Sequence, residues 1–302
     1  MSDAALAATR PWDVLEKLRD GRILPVLTVS LILIVVWYLG AIWLNAGLVE
    51  QRLKQPTAKE FVATAWSLER PVLPAPHQVA IEFYGSVFER EIDSPRSLFY
   101  HACVTGAATV VGFALGTLLG ILLALAIVRW RTLDRSLLPW IITSQTIPIL
   151  AIAPMIIVVL GSLGLTGLLP KAVISMYLCF FPIAIGMVKG LRSPDPLQLD
   201  LMRTYSATPT QTFWKLRWPA SMRFLFPSLK VAIAISLVGA IVGELPTGAQ
   251  EGLGARLLSG SYYGQTVQIW SALAMAALLG MILVSAVGAV ERIVLRHMGG
   301  RP

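Results

Sequence analysis

The chain has 302 residues, of which 56% are hydrophobic and only 14% charged, with a mean hydropathy of +0.70. A soluble domain carries about 25% charged residues, so a soluble enzyme fits poorly, and the net charge of +8 is not the mark of a nucleic-acid partner. Several apolar runs exceed the roughly 20 residues that cross a bilayer as a helix, without the short alternating segments of a β-barrel. The reading is an all-α, polytopic membrane protein with about six transmembrane helices.

Residues 1–22 are polar, and 11–20 either form a surface helix with Trp12, Leu15 and Leu18 on one side or fray as a tail. Residues 23–44 are the first span, with Trp37, Tyr38 and Trp43 as interfacial anchors at one end. Its length and aromatic exit argue against a cleaved signal peptide. Residues 45–96 leave the membrane, broken by Leu73-Pro74-Ala75-Pro76. In residues 77–92, Val79, Phe83 and Val87, and likewise Tyr84 and Phe88, recur every four positions, which predicts an amphipathic surface helix.

The second span, 98–128, carries Gly106 and the ladder Gly112, Gly116 and Gly120. In lipid such a ladder permits close backbone approach, either within the chain or in a dimer. Residues 136–170 contain no charge and are too long for one span, so the run from Gly161 to Gly167 becomes a hairpin between a third span, 137–160, and a fourth, 168–189. Pro148 and Pro154 bend the third and Pro182 the fourth. A fifth span, 223–243, has Lys230 snorkelling near one end, and Glu244-Leu245-Pro246 closes it. Residues 248–265 read as a Gly-rich external segment, 266–290 as the sixth span and 297–302 as a tail.

With both termini cytoplasmic, the inside segments hold 17 of the 25 basic residues, as the positive-inside rule asks. Cys103 and Cys179 lie alone in separate apolar runs, and His77, His101 and His297 are scattered, so no metal pattern appears. Neither a nucleotide-cradling G-x-x-x-x-G-K-[ST] loop nor a hydrolase motif is present. The middles of the spans lack the ionisable groups that ion-driven carriers use. A solute mover of this kind draws its energy from another polypeptide.

The polar loop 190–222 is the exception in this apolar chain. Asp195-Pro196-Leu197-Gln198 and Thr208-Pro209-Thr210-Gln211 are both helix starts with a capping residue, a first-turn proline and a Gln at the third position. They predict short helices over 196–205 and 209–217, stopped by Pro219. Leu197, Leu201 and Tyr205 share one face, with Phe213, Trp214 and Leu216 on the second helix. A groove on a partner and a seat under the lipid headgroups both satisfy these residues.

This loop resembles the E-A-A loop of ABC importer permeases, the binding-protein-dependent inner-membrane component family. Asp200 stands at the family's Glu, Leu201 and Met202 at its two Ala, and Ser206-Ala207 at its Gly-Ala. Phe213 matches the Phe and Trp218-Pro219 the Leu-Pro. Ile147-Pro148 through Ala153-Pro154, Glu244 and Gly252-Leu253-Gly254 extend the similarity over roughly residues 73–296.

The resemblance implies a type I importer architecture with a five-helix core over 97–296, in the bacterial cytoplasmic (inner) membrane. It implies two permease copies as a homodimer, a periplasmic or lipid-anchored solute-binding protein, and ABC ATPase subunits carrying ATP and Mg. This chain itself carries no cofactor. The coupling residues implied are Asp200, Leu201, Met202, Tyr205, Ser206, Ala207, Pro209, Phe213, Leu216 and Pro219. Ser206 replaces a glycine that takes a left-handed backbone readily, so strain or a different turn is expected there.

The branch suggested handles nitrate, sulfonates such as taurine, and pyrimidine-type vitamin precursors. Thr143, Ser144, Gln145 and Thr146 are pathway candidates, with hydrogen bonding between helices as their other use. Glu244 either attracts cations or pairs structurally, for instance with Arg256. A stand-alone channel or secondary carrier, and a scaffold subunit, are the competing readings.

Overall fold

The structure is a computed structural model that describes residues 23–54, 56–246 and 251–298. The expected helix at 11–20 and the end of the tail lie outside the described residues. Every regular element among the described residues is helical, and the chain divides into two compact units, 1–82 and 83–302. Five helices are long and apolar enough to cross a membrane, and a sixth crossing is made if a bent pair counts as one.

In the first unit, α1 (Ile23–Arg52) runs 30 residues, or about 45 Å at 1.5 Å per residue, and passes the expected end at Leu44. The extension folds because Val49 is buried with Ala65 and Leu68 of the following segment, near α2 (Ala58–Ala65). Buried Asn45 stitches it down. Its Nδ2 donates to the Ala65 and Leu73 carbonyls at 3.2 and 2.9 Å, and its Oδ1 accepts from the Val72 and Leu73 amides. Trp37, expected as a lipid anchor, donates its indole N–H to the Pro74 carbonyl at 3.0 Å instead, while Trp43 stays exposed.

The surface helix α3 (Pro76–Tyr84) tightens into a π-turn at Gly85–Glu89, shorter than the expected 77–92. Its two faces separate as their spacing predicts. Val79 is buried, Phe83 and Val87 pack on the cluster around Leu98, Leu253 and Met275, and Tyr84 and Phe88 stay exposed.

The second unit is built on α4 (Leu98–Arg129), α7 (Leu168–Leu191) and α10 (Trp218–Glu244), with α7 packed between the other two. Gly112, Gly116 and Gly120 all face α7, which settles the ladder as intrachain packing. A Cβ on Gly116 would stand 2.2 Å from the Cys179 sulfur. Helix α7 also meets Gly239 and Gly243 of α10. Two buried serines tie the three backbones together: Ser175 Oγ donates to the Ser236 carbonyl and Ser236 Oγ to the Thr109 carbonyl, each at 2.9 Å. Without water to drive association, such backbone approach and hydrogen bonding hold helices together in lipid.

The expected third span is a broken pair. Helix α5 (Arg131–Ser144) and α6 (Ile149–Ser162) meet at 99°. Pro139 and Pro154 sit inside these helices without breaking them. The break falls at Pro148, which disfavours a helical conformation in the residue before it. Polar side chains next to it bond nearby carbonyls: Ser144 Oγ donates to the Ile141 carbonyl and Thr146 Oγ1 to the Thr143 carbonyl, each at 2.8 Å, and Tyr177 donates its hydroxyl to the Ser144 carbonyl. The hairpin after α6 forms as expected, with Gly164 and Gly167 in left-handed backbone at φ 77 and 75.

Two further expectations need correction. The segment 248–265 contains a helix, α11 (Leu253–Tyr262), among its described residues, because Leu253 and Leu257 lie four apart and pack on the Leu98–Met275 cluster. The last helix, α12 (Thr266–His297), continues to His297. There Lys230 forms an ion pair with Glu291, so it is held by a partner helix as well as by its long stem.

Candidate functional site

The polar loop folds into two short helices joined by a tight turn, called the hairpin below. Helix α8 (Pro196–Thr204) starts on Asp195, whose Oδ1 accepts the Leu197 N–H at 2.8 Å. Helix α9 (Pro209–Thr212) starts on Thr208, whose hydroxyl accepts the Gln211 N–H at 3.3 Å. In both, the Gln side chain reaches back to the cap residue's N–H, completing the reciprocal capping predicted from the sequence.

The turn between them is a Schellman arrangement. The Ser206 amide donates to the Arg203 carbonyl at 2.8 Å and the Ala207 amide to the Met202 carbonyl at 3.0 Å. Ser206 has φ 51, the only positive φ of a non-glycine among the described residues. The serine therefore keeps the left-handed turn that a glycine would make, at a steric cost of roughly 1–2 kcal/mol for an L-residue. Ser206→Gly is expected to leave the turn in place. Ser206→Val, β-branched at positive φ, is expected to open it, lowering hydrogen-exchange protection of the Ala207 amide by roughly tenfold for each 1.4 kcal/mol of strain.

Pro219 does not stop the second helix. A π-turn over Phe213–Arg217 runs straight into α10, with the Trp218 amide bonded back to the Phe213 carbonyl. Proline's missing N–H and its ring clash with the carbonyl four residues earlier are absorbed by that wider turn. The second short helix is thus continuous with a membrane-crossing helix.

The expected coupling residues divide by exposure. Leu197, Leu201 and Tyr205 form an exposed row at 77%, 55% and 76%. Phe213 turns inward onto the core cluster of α4, α7 and α10, and meets Trp214 edge-on and Trp218 at a tilt, at centroid distances of 5.1 and 6.0 Å. Met202, Ala207, Leu216 and Pro219 are half-buried, and Pro209 is exposed. Asp200 pairs with Arg203 at 2.8 Å on the surface of its own helix, a contact worth little in water. One tether was not legible in the sequence: Arg192, just after α7, pairs with Asp134 of α5 at 2.9 Å. It ties the root of the hairpin to the helix that leads to the break.

The pathway candidates Thr143, Ser144, Gln145 and Thr146 sit at that 99° break between α5 and α6. Glu244 lies elsewhere, at the end of α10 in a fully buried cage. Its carboxylate oxygens lie 2.9 and 3.1 Å from the Thr105 hydroxyl, its Oε2 accepts the Gly254 N–H at 2.7 Å, and Lys171 Nζ stands 3.7 Å from Oε1. Around it, Thr105 Oγ1 accepts the Leu253 N–H and Lys171 donates to the Glu251 carbonyl. His101 Nδ1 accepts the Gly252 N–H at 2.9 Å, which leaves Nε2–H to donate to the Pro95 carbonyl.

His101, Thr105 and Lys171 escaped the sequence reading. Only the one-turn spacing of His101 and Thr105, on the buried face that continues to Gly112, hinted at them. The cage fastens the start of α11 to α4, α7 and α10. Glu244→Ala, which strands the buried Lys171 and Thr105, is expected to cost about 3–5 kcal/mol. Glu244→Gln, which keeps the shape, should cost distinctly less. Thermal unfolding of the purified protein in detergent measures both.

The family model described as "Binding-protein-dependent transport system inner membrane component" matches residues 116–300. A formylaminopyrimidine transport permease protein of Halalkalibacterium halodurans is 32% identical over 227 residues, covering 74% of this chain and 85% of that one. A riboflavin transport system permease protein of Chloroflexus aurantiacus is 30% identical over 225 residues, with 74% and 80% covered. A nitrate import permease protein of Leptolyngbya laminosa is 24% identical over 221 residues, with 70% and 76% covered.

Proposed function

The chain belongs to the binding-protein-dependent transport system inner membrane component family, and from that premise we propose that it is the membrane-spanning half of an ATP-driven importer whose hairpin 196–217 is the coupling element. The supporting observation is the hairpin itself. It is capped at both starts, locked at Ser206, continuous with α10 and armed with the exposed row Leu197, Leu201 and Tyr205.

An apolar row on a short rigid helix fits a groove on a partner. The partner is an ABC ATPase that holds ATP and Mg. Closure of two such ATPases moves the hairpins of two permease copies, in a homodimer, and a rigid lever passes that motion on where a flexible linker would absorb it. Through the Arg192–Asp134 pair the motion reaches α5 and then the break at Thr143–Thr146, where solute contacts are placed. The hairpin and both termini face the cytoplasm in this scheme, and the Glu244 cage closes the opposite end of the bundle as a structural clamp.

The solute arrives from a binding protein. The hydroxyls and amide of Thr143, Ser144, Gln145 and Thr146 carry no charge, which suits a small polar heterocycle better than an inorganic anion. That class agrees with the names of the formylaminopyrimidine and riboflavin permeases to which the chain is similar. Co-purification from native membranes tests the assignment. A Walker-motif ATPase that stays with the chain, and uptake that needs ATP, are expected. Uptake in vesicles without any ATPase, driven by an ion gradient, would instead identify a stand-alone channel or secondary carrier.

A further inference from the structure

Between the hairpin and the ends of α4 and α7 lies a cavity of about 660 Å³. Val128, Leu191 and Phe213 contribute to an apolar wall, and Arg129, Arg203 and Arg217 to its charge. No acidic side chain is among the described residues that line it. Each guanidinium has five N–H donors. Arg217 gives one to the Leu191 carbonyl at 3.4 Å, and Arg203 gives one to Asp200.

The depth of this cavity in a bilayer follows from its walls. Val128 is next to last in one membrane-crossing helix and Leu191 is last in another, and charge sets in at Arg129 of the first and at Lys189 and Arg192 around the end of the second. The exposed indoles of Trp130 and Trp214 lie next to those lining residues in the chain, as interfacial tryptophans do. An apolar wall facing acyl chains and a cationic rim at headgroup level form an amphipathic site, and guanidinium forks match phosphate oxygens in geometry and charge.

We propose that this cavity binds the phosphate of an anionic phospholipid, with part of one acyl chain against the partly exposed Val128 and Phe213. The lipid wedges the hairpin against α4 and α7 and makes the stiffness of the lever depend on the membrane's anionic lipid content. The apolar wall favours a lipid over free phosphate, because an inorganic ion leaves that wall in contact with water.

The test uses the full chain, delipidated in detergent and titrated separately with phosphatidylglycerol, phosphatidylcholine and inorganic phosphate. Retained lipid is read by native mass spectrometry and stability by thermal unfolding. Phosphatidylglycerol is expected to be retained and to raise the unfolding temperature, whereas the other two do neither. Arg129→Gln with Arg217→Gln should weaken that retention at least tenfold. Arg131→Gln with Arg135→Gln, an equal charge loss outside the cavity, should not.

Should the double variant fail to fold, the single change Arg129→Gln at an exposed residue still reports. Equal effects of the two lipids, unchanged retention in the cavity variants, or stabilisation by inorganic phosphate alone would each overturn the assignment. No ATPase enters the measurement, so its failure leaves the importer reading standing.

Discussion

Alanine at both Leu201 and Tyr205 is expected to weaken ATPase retention on the order of a thousandfold and to abolish ATP-driven uptake, with the permease still folded. These two side chains are 55% and 76% exposed, so their removal opens no cavity inside the chain. Apolar and aromatic anchors at the centre of an interface cost about 2 kcal/mol or more each when truncated, and 1.4 kcal/mol is a factor of ten. Phe213→Ala is the less diagnostic change, because Phe213 packs on the core and its loss loosens the hairpin's root as well. Pull-down with the ATPase and thermal unfolding of the variant separate the two effects. A double variant that holds the ATPase as tightly as the parent would remove Leu201 and Tyr205 from the interface.

Gly112→Val is expected to have the largest effect on the fold itself. Its first side-chain carbon would stand 2.3 Å from Ser175 Cβ and 2.7 Å from the Ala172 carbonyl oxygen, so α4 and α7 would have to part. Backbone cannot yield as the end of a flexible side chain can, and overpacking typically costs 1–3 kcal/mol where neighbours adjust. Here a loss of about 3 kcal/mol or more is expected, seen as a collapse of the monodisperse peak in detergent. Gly161→Ala is the matched control, because a methyl there meets nothing within 4 Å. Wild-type behaviour of Gly112→Val would show that the α4–α7 contact is not close-packed.

What the sequence made legible was whatever depends on neighbours in the chain. The capping boxes at Asp195 and Thr208 need only four consecutive residues, and both formed. The glycine ladder and the split faces of Val79–Phe83–Val87 and Tyr84–Phe88 follow from helical period alone. Features that depend on an unusual local turn or on distant residues were not legible. Pro219 reads as a stop, yet it sits in the first turn of a longer helix because the π-turn before it absorbs the missing donor. Asp134 and Arg192 are far apart in the chain and meet only when α5 folds against the hairpin's root. Glu244 reads as a rim charge until Thr105 and Lys171 close around it. At Ser206 the family's glycine pointed to a left-handed turn, and the serine holds it through the two turn hydrogen bonds.

Site-specific photocrosslinking from position 197 tests the central claim most directly. Leu197 is 77% exposed at the start of α8 and heads the row proposed to enter the ATPase. With a photoreactive side chain there, in the assembled complex in its native membrane, the account predicts one dominant adduct with the Walker-motif ATPase. That adduct should change in yield when ATP is added. Adducts with lipid alone, under conditions in which the complex is active, would contradict it and place this face of the hairpin against the membrane surface.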